Sequence, residues 1–453
     1  MIYLNITVVA KEYIVKLKSK ETIQTFIDSV ESQQGPLKDK IKNNIKDIFF
    51  FGSFKAFVIE LQNDILEKIK DSPSVSNVAL NEDISIYEHK PLQACVGSYL
   101  QTESIGAQIS SPRHLSRISR RTKLPYDQNN KHRYIHEFNY YYHRRYQGKN
   151  VNAYVIDTGI SKDHPDFEGR VRLGVDLIQE GIDDLNGHGT HVAGIIGSKT
   201  FGVAKKINII DVKALDKYGE GQLSNILKGI EFSLNHCLAS TNKMCVANLS
   251  LGSIKNSIID DAVKVSYELG MVMVVAAGNY NIDACSNSPA SSPYAITVGA
   301  FDDRMELIAK FSNWGSCVDV LAPGVDILSL SNIDFTRIET MSGTSMASPT
   351  VAGIVATILE SGVCPQNVKE IFSRMAIKDL LDPRTLSIKP GTPNLIAFNG
   401  VSISDDNFED SVYPLIDTNK YLEELLDFKV DYSIDYSATR YSLKLGKLTF
   451  DKR

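Results

Sequence analysis

No apolar run in the 453-residue chain approaches the 18 or more residues of a membrane-crossing helix, so no membrane span is expected. The net charge is only −5, and the one Arg- and His-rich stretch, residues 113–145 with Arg120 and Arg121, comes with no aromatic stacking platform. That stretch reads as a solvated basic face, and nucleic acid is not an expected partner. Six cysteines (Cys95, Cys237, Cys245, Cys285, Cys317, Cys364) are too few for a disulfide scaffold. None shows the CxxC spacing of a zinc or redox site. Internal repeats and low-complexity tracts are missing as well. Residues 1–10 (MIYLNITVVA) are apolar but short and lack a basic leader, which makes them a weak signal segment at best.

A chain this long exceeds what one core usually supports, so more than one domain is expected. Residues 12–18 (EYIVKLK) alternate like a half-buried strand, and 21–30 (ETIQTFIDSV) carry helical spacing. Residues 48–61 (IFFFGSFKAFVIEL) then read as one strand, 63–71 as a helix and 75–87 as a strand. These compose a small α+β unit over residues 11–90. From 91 to 111 the periodicity fades into an exposed connection. Beyond it, buried-strand runs at 151–156, 207–212, 246–251 and 271–276 alternate with helical segments, the pattern of a parallel α/β sheet. That domain spans 112–400, and an acidic extension with a short helical leucine spacing fills 401–453.

Three segments carry chemistry. Asp157 ends an apolar strand in AYVIDTGI, His188 sits between two glycines in NGHGTHVAG with His191 three residues on, and Ser345 opens a helix-like stretch in TMSGTSMASPTVAG. Each alone has an ordinary structural reading: a strand-end carboxylate capping a turn, a core histidine, an N-cap serine. Together they supply a carboxylate, a base of near-neutral pKa and a hydroxyl that needs that base to become a nucleophile. Their order along the chain, Asp, His, Ser, is one of the convergent orders of the hydrolytic triad.

All three motifs resemble those of the subtilase family. Residues 283–300 (DACSNSPASSPYAITVGA), 311–324 (FSNWGSCVDVLAPG) and 342–353 are similar to the proteinase K and cerevisin branch. The likeness runs from about residue 112 to 400, roughly two thirds of the chain. The first domain resembles the inhibitor-like propeptides of the family through its order of strands and helices. The resemblance implies a three-layer, subtilisin-like parallel-sheet domain preceded by a ferredoxin-like α+β propeptide. It implies a serine endopeptidase made as a self-inhibited zymogen, cut by itself between residues 91 and 112.

The implied roles are nucleophile for Ser345, general base for His188, orienting carboxylate for Asp157 and oxyanion donor for Asn279 in AAGN. Substrate would bind by strand addition between Gly219 and Gly221 on one edge and Ser250, Leu251 and Gly252 on the other. Small residues at Gly252, Ala276 and Gly278 would leave room for an apolar side chain. Cys285 and Cys317 would pair, which points to a secretory, extracellular or vacuole-like compartment. Catalysis needs no cofactor, while Pro293, Ala295 and Asp319 match a structural calcium site. The expected partners are protein or peptide substrates and the chain's own propeptide, on a monomeric enzyme. A non-catalytic binding protein on the same scaffold, with its propeptide retained, is the alternative. Thr350 departs from the family, whose members usually carry His after Pro349.

Overall fold

The computed structural model describes residues 11–31, 41, 43–61, 63–85, 105–126, 138–242 and 244–401. The expectations for residues 1–10, for most of the connection and for the acidic extension lie outside these.

Strands that are apolar throughout must be covered on both faces, which favours a parallel sheet between layers of helices. Among the described residues the main sheet has ten strands. Across it lie Ile377–Lys378, Leu395–Ile396, Val320–Pro323, Ile296–Asp302, Val272–Ala276, Cys245–Leu249, Asn152–Asp157, Asn208–Lys213 and Val171–Asp176, with Leu307–Ile308 paired to Ile296–Asp302. All from Val320–Pro323 to Val171–Asp176 are parallel. Alternation then sorts the side chains. Ala153 and Val155 share a core with helices His188–Gly197 and Thr344–Glu360, whereas Tyr154 and Ile156 share one with helices Leu223–Ala239 and Ser257–Glu268. The sequence-based expectation of a three-layer α/β domain holds.

The N-terminal unit is a four-stranded antiparallel sheet in the order Ile45–Phe51, Phe54–Leu61, Lys11–Leu17, Val75–Leu80. Phe26 and Ile27 of helix Ile23–Glu31 and Leu66 and Ile69 of helix Asn63–Lys70 pack on Val15, Phe57 and Ile59. This is the expected ferredoxin-like arrangement, with one difference. Residues 48–61 are not one strand but part of a hairpin, because Gly52 at φ +51° reverses the chain in a two-residue turn. A Cβ on Gly52 would lie 2.6 Å from Leu269 Cδ1, so the glycine also lets the turn touch the larger domain.

The sheet's other face, with Ile14, Phe49, Phe51, Phe54 and Val58, joins the core that contains Ile226, Ile230 and Ile259 of the large domain's surface helices. Polar contacts frame this apolar seam: Phe50 N–H donates to Glu231 Oε1 at 2.8 Å, and Lys228 Nζ meets Asp47 at 2.8 Å. Asn81 and Glu82 finish the dock. Leu223 N–H donates to the Glu82 carbonyl at 2.9 Å and Ser224 N–H to Asn81 Oδ1 at 3.1 Å, satisfying amides that the first turn of helix Leu223–Ala239 leaves over. Strand Asp83–Ser85 then pairs antiparallel with Glu220–Gln222, Ile84 opposite Gly221.

Two expectations about the following segment are corrected. Residues 105–111, read as the end of an exposed connection, form strand Ile105–Ser111 against Phe138–His143. Its serines blur the apolar pattern because they are bonded, Ser111 Oγ lying 2.7 Å from Ser116 Oγ. Nor is the basic stretch a solvated face throughout. Arg117 is fully buried and donates twice to Glu306, at 2.8 and 3.2 Å, and Arg113 pairs with buried Asp303. Such a charge is tolerated inside only with its partner.

Cys285 and Cys317 are paired, with Cα atoms 5.3 Å apart. Cys237 and Cys245 form a second disulfide that ties the end of helix Leu223–Ala239 to the start of the adjacent strand, and Cys364 is an exposed free thiol. Replacing Cys285 and Cys317 by Ala in a Ser345→Ala precursor should lower stability by about 3 to 4 kcal/mol, the chain-entropy expectation for a loop of this length. Calorimetry checks it, and an unchanged unfolding midpoint would mean that the bridge does not stabilise the fold.

Candidate active site

Parallel strands bring their C-terminal ends to one edge of a sheet, where loops and helix starts can converge. Strand Asn152–Asp157 ends there at Asp157, which is 0% exposed. Its Oδ1 accepts from Thr158 N–H at 2.8 Å and lies 2.7 Å from His188 Nδ1. With Nδ1–H directed at the carboxylate, Nε2 of the neutral imidazole carries the lone pair, and Nε2 is buried with no hydrogen-bond partner among the described residues.

His188 is held there from several directions. It is the first residue of helix His188–Gly197, after Gly187 at φ +104°. Asp184 accepts from Gly187 N–H at 2.8 Å, Thr190 N–H at 2.9 Å, Thr190 Oγ1 at 2.6 Å and Thr158 Oγ1 at 2.9 Å. It thus caps the helix and ties it to the turn after Asp157. Gly189 N–H donates to Thr158 Oγ1 at 3.0 Å, and a Cβ on Gly189 would sit 2.1 Å from the Gly159 carbonyl oxygen. Only glycine admits that approach. The neighbouring His191 is fully buried, with Nε2 between the carbonyls of Ile327 and Glu339 at 3.1 and 3.2 Å. Burial, reinforced by His188, pushes its pKa down to about 3, so it is a neutral packing donor.

Ser345 lies in the first turn of helix Thr344–Glu360, which packs on helix His188–Gly197. Pro349 has no N–H to give the Ser345 carbonyl four residues back. Ser250 Oγ donates to that carbonyl at 3.2 Å instead. Ser250 in turn accepts from Asn248 Nδ2 at 2.9 Å, and Ser348 Oγ donates to Asn248 Oδ1 at 2.7 Å. Asn248 pairs in register with Val155, so Ser250 and Asp157 stand level at the sheet edge. Thr350, where the family usually has His, donates its hydroxyl to the Met346 carbonyl at 3.1 Å inside the helix.

Asn279 follows strand Val272–Ala276 after Gly278, whose φ is +91°. Its Oδ1 accepts from Thr344 N–H and Thr344 Oγ1, both at 3.0 Å. These bonds occupy the Oδ1 acceptor and not the Nδ2 donor, and they tie Asn279 to the first residue of the serine's helix.

Of the other expected site residues, those for substrate lie around strand Glu220–Gln222 and at the C-terminal ends of the central strands, and those for the cation at the N-terminal ends. Gly219 is in a turn at φ +77°, and Gly221 pairs with Ile84 of the N-terminal unit. Leu251, Gly252, Ala276 and Gly278 are buried. Ser250, expected as a substrate contact, spends its side chain on the Ser345 carbonyl. Pro293 and Ala295 precede strand Ile296–Asp302, but the Asp319 carboxylate takes Thr297 N–H at 3.0 Å and the Lys369 ammonium at 2.9 Å. As they stand, these residues do not fit a calcium ion, because a lysine already supplies the positive charge. Asp184, Thr158, Asn248 and Ser348 were not singled out from sequence; Asp184 has a faint signal, four residues ahead of His188 in DLNGH.

Two parts of the chain match known protein families. Residues 148–388 match the model of the subtilase family, and residues 12–87 match that of peptidase inhibitor I9. The chain is 42% identical over 435 residues to the subtilase-type proteinase RRT12 of Saccharomyces cerevisiae, covering 92% of this chain and 88% of the relative. It is 36% identical over 432 residues to cerevisin of the same yeast, covering 87% of this chain and 64% of cerevisin. Among solved structures, a cold adapted subtilisin-like serine proteinase superposes with a TM-score of 0.56 at 36% identity, covering 65% of this chain and all of that one. The chain is therefore a member of the subtilase family, with an inhibitor I9 propeptide ahead of its peptidase domain.

Proposed function

We propose that this protein is an active serine endopeptidase that matures by cutting itself. The observation that carries this reading is the imidazole of His188, bonded through Nδ1 to a buried carboxylate with Nε2 left open as the base. In the first step Ser345 Oγ attacks the scissile carbonyl carbon while its proton passes to His188 Nε2, and Asp157 stabilises the imidazolium. The carbonyl oxygen gains negative charge and is received by Asn279 Nδ2 and the Ser345 backbone N–H. The tetrahedral intermediate collapses as the imidazolium returns its proton to the leaving amine. Water then repeats the sequence on the acyl-enzyme, releasing the acid and restoring Ser345. No cofactor enters these steps.

Substrate would add as a strand against Glu220–Gln222, the edge now paired with Asp83–Ser85. Occupation of that edge makes the precursor a zymogen. Gly252, Ala276 and Gly278 favour an apolar residue before the scissile bond. The maturation cut falls before Ile105, since strand Ile105–Ser111 is built into the large domain. Two disulfides suit an oxidising compartment, secretory or vacuolar. The alternative, a binding protein that keeps its propeptide, draws support from the wide apolar seam between the two domains.

Ser345→Ala should leave the purified precursor uncut, while the wild-type chain acquires a new N-terminus at or before Ile105 and reacts with a fluorophosphonate. A wild-type protein that never labels would favour the binding-protein alternative. Asn279→Ala should lower kcat by about 100- to 1,000-fold with little change in KM, the effect of removing one oxyanion-hole donor in a subtilisin. For the cation position, chelation with EGTA should leave the thermal midpoint unchanged because Lys369 neutralises Asp319. A fall of several degrees in EGTA that Asp319→Asn abolishes would assign calcium to that carboxylate.

A further inference from the structure

The charge at the catalytic end of the sheet extends beyond the triad. In the parallel pairing of Asn208–Lys213 with Asn152–Asp157, Lys213 lies opposite Asp157 and Asp211 opposite Val155. Registered neighbours project to the same side of a sheet, so Asp157, Lys213 and Asp211 share the face covered by helix His188–Gly197. Lys213 is 0% exposed, an unusual place for an ammonium. Its Nζ donates to the Thr158 carbonyl at 2.6 Å.

Thr158 is the hub of the site. Its N–H donates to Asp157 Oδ1, its hydroxyl donates to Asp184 and accepts from Gly189 N–H, and its carbonyl takes Lys213. The charged and titratable groups around Lys213 are Asp157 and Asp176, registered opposite it on the two neighbouring strands, Asp211 on its own, Asp184 and Glu180 from the loop before His188 and, beyond Asp157, the imidazole itself. Asp211 Oδ2 accepts from Ile160 N–H at 3.2 Å, and burial raises its carboxyl well above the usual range. Burial disfavours the charged form of Asp211, and Asp157 and Asp176 are the carboxyl side chains registered opposite Lys213.

We propose that Lys213 is a positioning residue for the Asp157–His188 pair: its ammonium clamps the turn that carries Asp157, and its charge sets the acid limb of the activity profile. This rests on the catalytic reading above. The sign follows from electrostatics: without a buried positive charge nearby, the imidazolium forms more readily, so the base is lost at a higher pH.

The test compares wild-type, Lys213→Met and Lys213→Arg enzymes after maturation. Active sites are counted by fluorophosphonate titration, and kcat/KM for a chromogenic peptide is measured from pH 5 to 9. Lys213→Met should reduce kcat/KM at pH 7 at least about tenfold with KM within about twofold, and move the acid limb up by about half a pH unit. Lys213→Arg should keep the wild-type limb. A lysine with only a packing role would lower the yield of labelled enzyme without moving the limb of each labelled molecule, and that result, or an equal shift in Lys213→Arg, overturns the proposal. If Lys213→Met yields no labelled enzyme, Lys213→Gln replaces it and is read in the same way. Failure of both uncharged variants makes the lysine a folding requirement, and the proposal falls. A wild-type protein that neither labels nor cleaves peptide fails the catalytic reading itself; an active wild type with an unmoved limb fails only this inference.

Discussion

The fully buried carboxylate of Asp157 is the constraint from which the rest of the site follows. A carboxylate without water must be met by donors, and one of its oxygens is met by Thr158 N–H and the imidazole of His188. Holding a ring and a strand end in that relation demands that the helix bearing the ring approach the turn after the strand closely. Gly189 permits the approach, and Asp184 bonds both sides of it. The geometry is therefore preorganised by groups that never touch a substrate.

The nucleophile is fixed by a different device with the same logic. Pro349 removes one helical donor, and the exposed need of the Ser345 carbonyl is filled from the central sheet through Ser250, Asn248 and Ser348. A satisfied polar chain in a dry interior is directional in a way that apolar packing is not. It fixes the rotation of the serine's helix against the strand next to Asp157. Helix and sheet thus carry Ser345 and Asp157 in one frame.

The N-terminal unit uses the unfinished parts of that frame. Helix Leu223–Ala239 begins at Gln222 without a side-chain cap of its own, and Asn81 and Glu82 supply the missing acceptors. Strand Glu220–Gln222 has an open edge, and Asp83–Ser85 pairs with it. An apolar sheet face covers the helices between them. The groups that pair with strand Glu220–Gln222 thus also complete the helix behind it.

Much of this was legible in the sequence. The apolar runs announced the parallel strands, and the short motifs singled out Asp157 and His188, which the fold brings into contact, because periodicity and motif spacing depend only on neighbours along the chain. What misled was also local: the run at 48–61 hid its reversal at Gly52, and the serines of 105–111 hid a strand. The charged interior was not legible at all. Arg117 meets a carboxylate 189 residues away, and Lys213 meets the turn that closes a strand of another segment. By itself the sequence determined most of the elements, the chain order of Asp157, His188 and Ser345 and the family to which the motifs belong. Only the tertiary structure decided which polar groups lose their water and which partners replace it, since burial belongs to the packed surface that distant segments make together.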